Sequence, residues 1–281
     1  MTKPHAQVRR LAVGGAAAAL SVATLAVTSP ASADSASLNY TCERPLGSSN
    51  LTASFAAPAT VPVGGSAAVT TTVVVPEDLA GLLASVGVAT VEGSAVGKAT
   101  VNGLPLDVPQ VIPVTSVPAA GSMTVKASGK LAVPVTLPVG TELAVTAGDF
   151  TVDLDGKTAD GQPSLLSPYA ISCVQDPEQN NEVGTVTVVK AGSKSKVSAK
   201  GAKKKATITV KVKSTTTVAA TGKVKVSLKG PKKVTKTAKI KNGVAKVTVK
   251  KLKKGKYKIA TKYAGDKNVT GSNGKGSVKV K

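Results

Sequence analysis

Lysine and apolar side chains alternate along the last hundred residues, and this pattern restricts the fold more than any other feature. The stretch "GKVKVSLKG" (222–230) places Val224, Val226 and Leu228 at every second position, and Lys223, Lys225 and Lys229 alternate with them. The stretch "KATITVKVK" (205–213) follows the same period. Successive side chains of a strand point to opposite faces, so a period of two indicates half-buried strands with lysine toward water. This half is therefore predicted to form β-sheets.

Turn signals divide this half into about seven short strands, starting with "GTVTVV" at 184–189. Asn242-Gly243 predicts a type I′ turn between two alternating runs. Seven short strands in fewer than 100 residues predict an immunoglobulin-like sandwich.

The stretch "NGVAKVTVKKLKKGKYKIATKYAGDKNVTGS" (242–272) resembles the C-terminal part of a bacterial Ig-like domain. The shared features are a glycine before a rising strand, an L-x-x-G-x-Y turn and a Y-x-G-D ending. In this chain they are Gly243, then Leu252, Gly255 and Tyr257, then Tyr263, Gly265 and Asp266. The resemblance covers 184–281 and implies a spacer, stalk or adhesion module. The lysine density is a departure that the fold does not need.

The first half also reads as β structure, with strand-like runs at 66–76, 97–103, 121–130 and 141–156. One exception is "PEDLAGLLASVG" (76–87), whose leucines recur at helical spacing. The predicted fold is therefore all-β, with two β-sandwich domains in tandem. The second is immunoglobulin-like, and the first carries one short helix.

The first 33 residues have the features of a cleaved signal peptide. A basic segment with Lys3, Arg9 and Arg10 precedes an apolar run at 11–27, and "ASA" follows at 31–33. Seventeen apolar residues are short for a membrane span of about 20. General secretion and the twin-arginine route both stay open. We expect a secreted protein, extracellular or associated with the cell wall, with no transmembrane segment in the mature chain.

The only cysteines, Cys42 and Cys173, are expected to form a disulfide because export leads to an oxidising compartment. A reactive thiol or a metal ligand lacks partners, since the only histidine, His5, lies in the signal peptide. "LNYTC" (38–42) and "CVQDPEQNN" (173–181) resemble a secreted actinobacterial domain of unknown function. That resemblance implies export and the same bridge, but no activity.

Charge divides the chain sharply. Residues 34–182 contain five basic and fourteen acidic side chains, whereas 183–281 contain twenty-nine lysines, no arginine and one acid. The predicted domains are a signal peptide at 1–33, a disulfide-closed β domain at 34–176, a linker at 177–183 and a lysine-rich Ig-like domain at 184–281.

Catalytic, metal and cofactor sites are not predicted, because the mature chain lacks histidine and unpaired cysteine. Asp153, Asp155 and Asp160 hint at calcium, but their spacing departs from a calcium loop and favours an Asp-Gly turn. Tyr40, Tyr169, Phe55 and Phe150 are expected to pack near the bridge rather than to form a sugar platform.

The lysine face is the predicted binding site, because a surface with one sign of charge repels itself unless an external anion compensates. Lysine as a solubilising surface residue is the plain alternative. The favoured partner is an anionic cell-wall polymer or another acidic surface. A spacer or adhesin that binds a protein or glycan through the first domain is the alternative. Nucleic acid is less favoured, because arginine and interleaved aromatic residues are missing. The predicted polyanion-binding residues are Lys223, Lys225, Lys229, Lys246, Lys250, Lys256, Lys258 and Lys262.

Overall fold

The computed structural model describes residues 37–44, 47–165 and 167–281, which form two β domains with separate hydrophobic cores. The predicted signal peptide, residues 1–33, lies outside the described residues. Within the described ranges, no helix is long and apolar enough to cross a membrane. The prediction of two β domains in tandem is confirmed.

The first domain has one hydrogen-bonded sheet of ten strands. The order in this sheet is β3-β10-β8-β5-β6-β7-β4-β2-β1-β9, and β9 also pairs with β8. The ladders between β8 and β9 therefore close a ring of strands around the core. The elements are β1 (Ser37–Arg44), β2 (Gly47–Ala56), β3 (Thr60–Pro62), β4 (Ser66–Val75), α1 (Glu77–Ser85), β5 (Thr90–Val101), β6 (Leu104–Ser116), β7 (Met123–Ala132), β8 (Glu142–Lys157), β9 (Tyr169–Gln175) and β10 (Glu182–Val189).

Helix α1 begins after Pro76 and is followed by Gly87, whose positive φ of 81° suits glycine. The predicted helix is confirmed. Its apolar stripe is only partly covered, because Leu83 is buried while Leu82 remains 40% exposed. The helix thus lies over one end of the first core without sealing it.

The disulfide joins Cys42 of β1 to Cys173 of β9, which are direct cross-strand partners. Tyr40 is fully buried beside it, with its ring 4.8 Å from Phe150 and 6.2 Å from Phe55 between centroids. Burial raises the pKa of the Tyr40 hydroxyl. Both the bridge and the packing of these aromatic residues agree with the prediction.

Strand β10 differs from its predicted assignment to the Ig-like domain. It pairs antiparallel with β8 and parallel with β3, and Val186 and Val188 lie in the first core. The pattern of 184–189 is that of a half-buried strand in either domain, so the sequence alone does not reveal its partner.

Strand β6 was not predicted, because Pro105, Pro109 and Pro113 argue against a central strand. Its register with β7 covers only Gln110 and Val111, whereas its pairing with β5 is long. One side of β6 is therefore close to an edge, where proline is tolerated.

The second domain is a sandwich of a three-stranded sheet, β11-β12-β15, and a four-stranded sheet, β14-β13-β16-β17. Its alternating valine, isoleucine and leucine residues form the core between the sheets. The Ig-like prediction is confirmed. The strands are β11 (Ser193–Ala202), β12 (Lys205–Ser214), β13 (Lys223–Lys229), β14 (Val234–Lys239), β15 (Val244–Lys250), β16 (Gly255–Gly265) and β17 (Thr270–Val280).

The Asn242-Gly243 turn has positive φ values of 48° and 72°, as a type I′ turn requires. It lies between β14 and β15, which belong to different sheets, and it is closed by an isolated bridge between Lys241 and Val244. Ile240 enters the core just before the turn. The local conformation is as predicted, but the chain changes sheets there instead of forming a long hairpin.

The two domains contact each other through backbone groups and small side chains. The Thr216 hydroxyl donates to the Val63 carbonyl at 2.9 Å, and the Thr217 hydroxyl donates to the Gly64 carbonyl at 2.9 Å. The Lys190 ammonium, directly after β10, also donates to the Asp266 carbonyl at 2.7 Å. Among the described residues, hydrogen bonds to backbone carbonyls rather than ion pairs therefore make this junction.

Candidate polyanion-binding face

The outer surface of the four-stranded sheet carries lysine at most of its outward positions. Alternate residues of β13 and β16 enter the core, so the residues between them must point to solvent. Nine lysines lie on this outer surface, and all nine are exposed. We call them the basic face: Lys223, Lys225, Lys229, Lys239, Lys256, Lys258, Lys262, Lys275 and Lys279.

Four pairs of these lysines lie directly opposite each other on neighbouring strands. Like charges in this position destabilise a sheet, so the register itself concentrates repulsion on the basic face. An anion bound across the pairs would relieve that repulsion. The pairs are Lys223 with Lys239, Lys225 with Lys262, Lys229 with Lys258, and Lys256 with Lys279.

A shallow depression lies in the middle of the basic face. Ser227 and Ala260 are cross-strand partners with small side chains, and Lys225, Lys262 and Lys275 surround them. The depression has a volume of about 400 Å³. It can admit a phosphate, sulfate or carboxylate group among three ammonium groups.

No carboxylate of the described residues forms an ion pair with the basic face. Within the described residues the ion pairs are Lys98 with Asp107 and Lys157 with Glu92, and both lie in the first domain. The thirteen described acids of the first half therefore form no ion pair with the lysines of the second.

Asp266, the single acid of the second domain, is used by its own turn. Its carboxylate accepts hydrogen bonds from the Thr221 hydroxyl and backbone N–H and from the backbone N–H groups of Asn268 and Val269. Burial alone would raise the pKa of Asp266, but these hydrogen bonds outweigh it and lower the pKa to about 2. Asp266 therefore stabilises the turn and does not offset the lysine charge.

The structure divides the eight predicted lysines between two surfaces. Six belong to the basic face, whereas Lys246 and Lys250 lie on β15, in the other sheet. Sequence analysis also missed Lys239, Lys275 and Lys279 of the basic face. The same alternation could have identified Lys279 in "GSVKVK", but only the strand register brings all three beside the others.

The acids considered for calcium lie on β8 and in the turn after it. Asp153 and Asp155 are exposed on β8, and Asp160 lies in the following turn, where the Thr158 hydroxyl donates to it at 2.6 Å. That hydrogen bond lowers the pKa of Asp160. Across the described ranges, no group of three or more candidate ligands could hold a metal ion.

Comparison with family models identifies both halves. Residues 39–184 match the model of a family of unknown function, DUF6801. The chain belongs to the DUF6801 family. Residues 193–281 match a bacterial Ig-like domain of group 3, and the start of this match coincides with β11. In this DUF6801 protein, both resemblances expected from the sequence are thus confirmed. No curated protein matches the chain.

Comparison with solved structures gives matches of low identity, of which three follow. Fibronectin(III)-like modules of CbhA from Clostridium thermocellum are 13% identical over 79% of this chain and 87% of theirs, with a TM-score of 0.25. Red sea bream transglutaminase is 14% identical over 82% of this chain, with a TM-score of 0.28. Bacteroides ovatus SGBP-B, solved with a mixed-linkage heptasaccharide, is 9% identical over 88% of this chain, with a TM-score of 0.21. The match spans 31% of the transglutaminase and 63% of SGBP-B.

Proposed function

We propose that this protein is a secreted, non-enzymatic component of the cell envelope, and that its Ig-like domain binds anionic polymers through the basic face. One observation supports this proposal above all: nine exposed lysines share one sheet surface, with four like-charged pairs in direct register. Fold stability does not require that arrangement and is lowered by it. Binding a polyanion removes the repulsion.

The character of the basic face favours a flexible, repetitive anion over a structured one. Lysine is a point charge with freely rotating donors, whereas arginine would provide the bidentate geometry suited to specific phosphate recognition. The second domain contains no arginine. A wall polymer or an anionic headgroup layer presents many equivalent charges, and each lysine near such a surface contributes about 1 kcal/mol.

Export places the protein beside such polymers. A signal peptide at 1–33 and a disulfide between Cys42 and Cys173 both fit a secreted protein. In this proposal the basic face retains the DUF6801 domain at the cell wall after export.

A structural spacer or adhesin is the alternative function, supported by the direct junction between the two domains at Thr216 and Thr217. In that case the lysines only keep the protein soluble, and the first domain binds a protein or glycan. Extracellular nucleic acid is a further possible polyanion, although the basic face offers no aromatic side chain for base stacking.

Retention on isolated cell walls separates these functions. The exported protein is loaded on walls from a Gram-positive bacterium and eluted with a NaCl gradient, with duplex DNA as a soluble competitor. The proposal predicts release at moderate salt, because the Debye length is about 8 Å at 0.15 M and shorter above it. Retention that does not change with salt would support the spacer function. Release by DNA, but not by teichoic acid at the same charge concentration, would support binding of nucleic acid.

A further inference from the structure

The interior of the first domain contains a series of apolar cavities that its core residues do not fill. The first has a volume of about 90 Å³ and lies beneath α1, beside Leu79 and Leu82. The second, of about 80 Å³, adjoins it along Val125 and Leu154, which line both. A third, of about 50 Å³, continues beyond Thr71. Native cores rarely leave voids of this size in succession.

The cavities form an elongated path inside the ring of strands. Inward residues of β4 line them in turn, from Val75 at the first to Val69 at the third. These two positions are roughly 20 Å apart along an extended strand. The path begins beside the exposed Leu82, so its end beneath α1 lies next to solvent. Its shape suits a single hydrocarbon chain.

Thr71 and Gln110 are buried polar side chains in the walls of the second and third cavities, and Gln110 carries an atom without a hydrogen-bond partner. Gln110 lies at the inward position of β6 between Val108 and Ile112, both buried, and it lines the second and third cavities. Only 8% of Gln110 is exposed, and its Oε1 atom has no hydrogen-bond partner among the described residues. An unpaired buried carbonyl is unfavourable, so it points to a donor that the protein itself does not supply.

The neighbouring strands leave space for this side chain. A Cβ atom at Gly129 would lie 2.9 Å from Gln110 Cγ, and one at Gly97 would lie 3.4 Å from Gln110 Nε2. Glycine on both adjoining strands, β5 and β7, therefore admits the amide to the interior. A polar group held in this way is a position suited to ligand recognition.

We infer that the DUF6801 domain binds a single-chain aliphatic alcohol, with the hydrocarbon chain in the apolar path and the hydroxyl group donating to Gln110 Oε1. The apolar walls contact the hydrocarbon chain, and Gln110 favours a ligand with a hydroxyl group over a plain hydrocarbon. This inference concerns the first domain and does not depend on the basic face.

Displacement of a fluorescent apolar probe tests this site in the purified, delipidated protein. N-phenyl-1-naphthylamine is bound first, and 1-dodecanol and dodecane then compete, with native mass spectrometry to count bound molecules. We expect one dodecanol per chain, bound more tightly than dodecane by roughly 2- to 10-fold, the range of one net hydrogen bond. Gln110→Leu should abolish that preference while still binding the probe.

Blocking variants test the location. Val125→Trp fills the junction of the first two cavities, whereas Val111→Trp adds the same bulk at a position of β6 that is 64% exposed. Only the former should prevent binding. Ala127→Leu is a smaller change in the wall of the second cavity. It serves as the blocking variant if circular dichroism shows that Val125→Trp does not fold.

The inference is wrong if no dodecanol adduct forms, or if folded Val125→Trp or Ala127→Leu binds as well as the unchanged protein. An unchanged alcohol preference in Gln110→Leu would overturn the role of Gln110.

Discussion

Neutralising two lysines at the centre of the basic face should weaken anion binding far more than neutralising two on the opposite sheet. Lys225 and Lys262 are cross-strand partners beside the central depression. Lys211 and Lys213 are exposed on β12 of the three-stranded sheet. The double variants Lys225→Gln/Lys262→Gln and Lys211→Gln/Lys213→Gln lower the net charge equally, so they separate the geometry of the site from total charge.

The expected magnitude comes from the two lost contacts. At about 1 kcal/mol for each lysine near an anionic surface, the loss is about 2 kcal/mol, or roughly a 30-fold weaker Kd. The matched pair on β12 should change Kd by less than about 3-fold, because only long-range attraction, screened beyond about 8 Å, is lost there. Removing the Lys225–Lys262 repulsion should leave the free energy of unfolding unchanged or slightly higher.

Calorimetric titration with heparin at 0.15 M NaCl measures both variants, and urea unfolding checks their stability. Equal weakening by the two double variants would show that net charge alone governs binding, and would refute the assignment to the basic face. A destabilised Lys225→Gln/Lys262→Gln variant would contradict the repulsion inferred from the strand register.

Three further predictions concern stability. Replacing Cys42 and Cys173 by serine should lower the free energy of unfolding of the first domain by about 5 kcal/mol in the chain-entropy model, since the bridge spans 131 residues; a loss below 1 kcal/mol in urea unfolding would contradict this. Because the pKa of Asp266 is lowered to about 2 in the folded state, its contribution is present above about pH 4 and lost as the pH falls toward 2. Asp266→Asn should flatten the dependence of the free energy of unfolding on pH in this range, and should lower that free energy by about 1 kcal/mol at pH 7 after screening. A melting temperature that varies with pH as in the unchanged protein would contradict the hydrogen-bonded turn. Gly201→Ala should destabilise the second domain, because an added Cβ would overlap the Lys279 carbonyl oxygen; a melting temperature equal to that of the unchanged protein would refute the close approach of β11 and β17.

Period-two alternation predicted the inward and outward faces of the second domain well. On β13 and β16 nearly every apolar position is buried and every lysine is exposed, as the pattern indicates. Alternation works here because each strand has one face in the core and one in water. The pattern does not reveal which strands are neighbours, so it grouped Lys246 with lysines that belong to the other sheet.

The first domain was harder to predict, because its important features depend on long-range pairing. Strand β6, which contains Gln110, was missed because its three prolines argue against a strand. The sequence does not reveal its long pairing with β5 or its short register with β7, which make the prolines acceptable. The partner of β10 was equally hidden. Helix α1 was predicted correctly from local signals, but its incomplete cover of the core became apparent only in three dimensions.

The salt dependence of polyanion affinity tests the central claim most directly. The Kd of the exported protein for soluble poly(glycerol phosphate) is measured between 0.05 and 0.3 M NaCl, and log Kd is plotted against log salt concentration. If four or more lysines of the basic face engage the polymer, counterion release predicts a slope of at least about 3. A slope near zero, or no detectable binding at 0.05 M, would contradict electrostatic retention by the basic face.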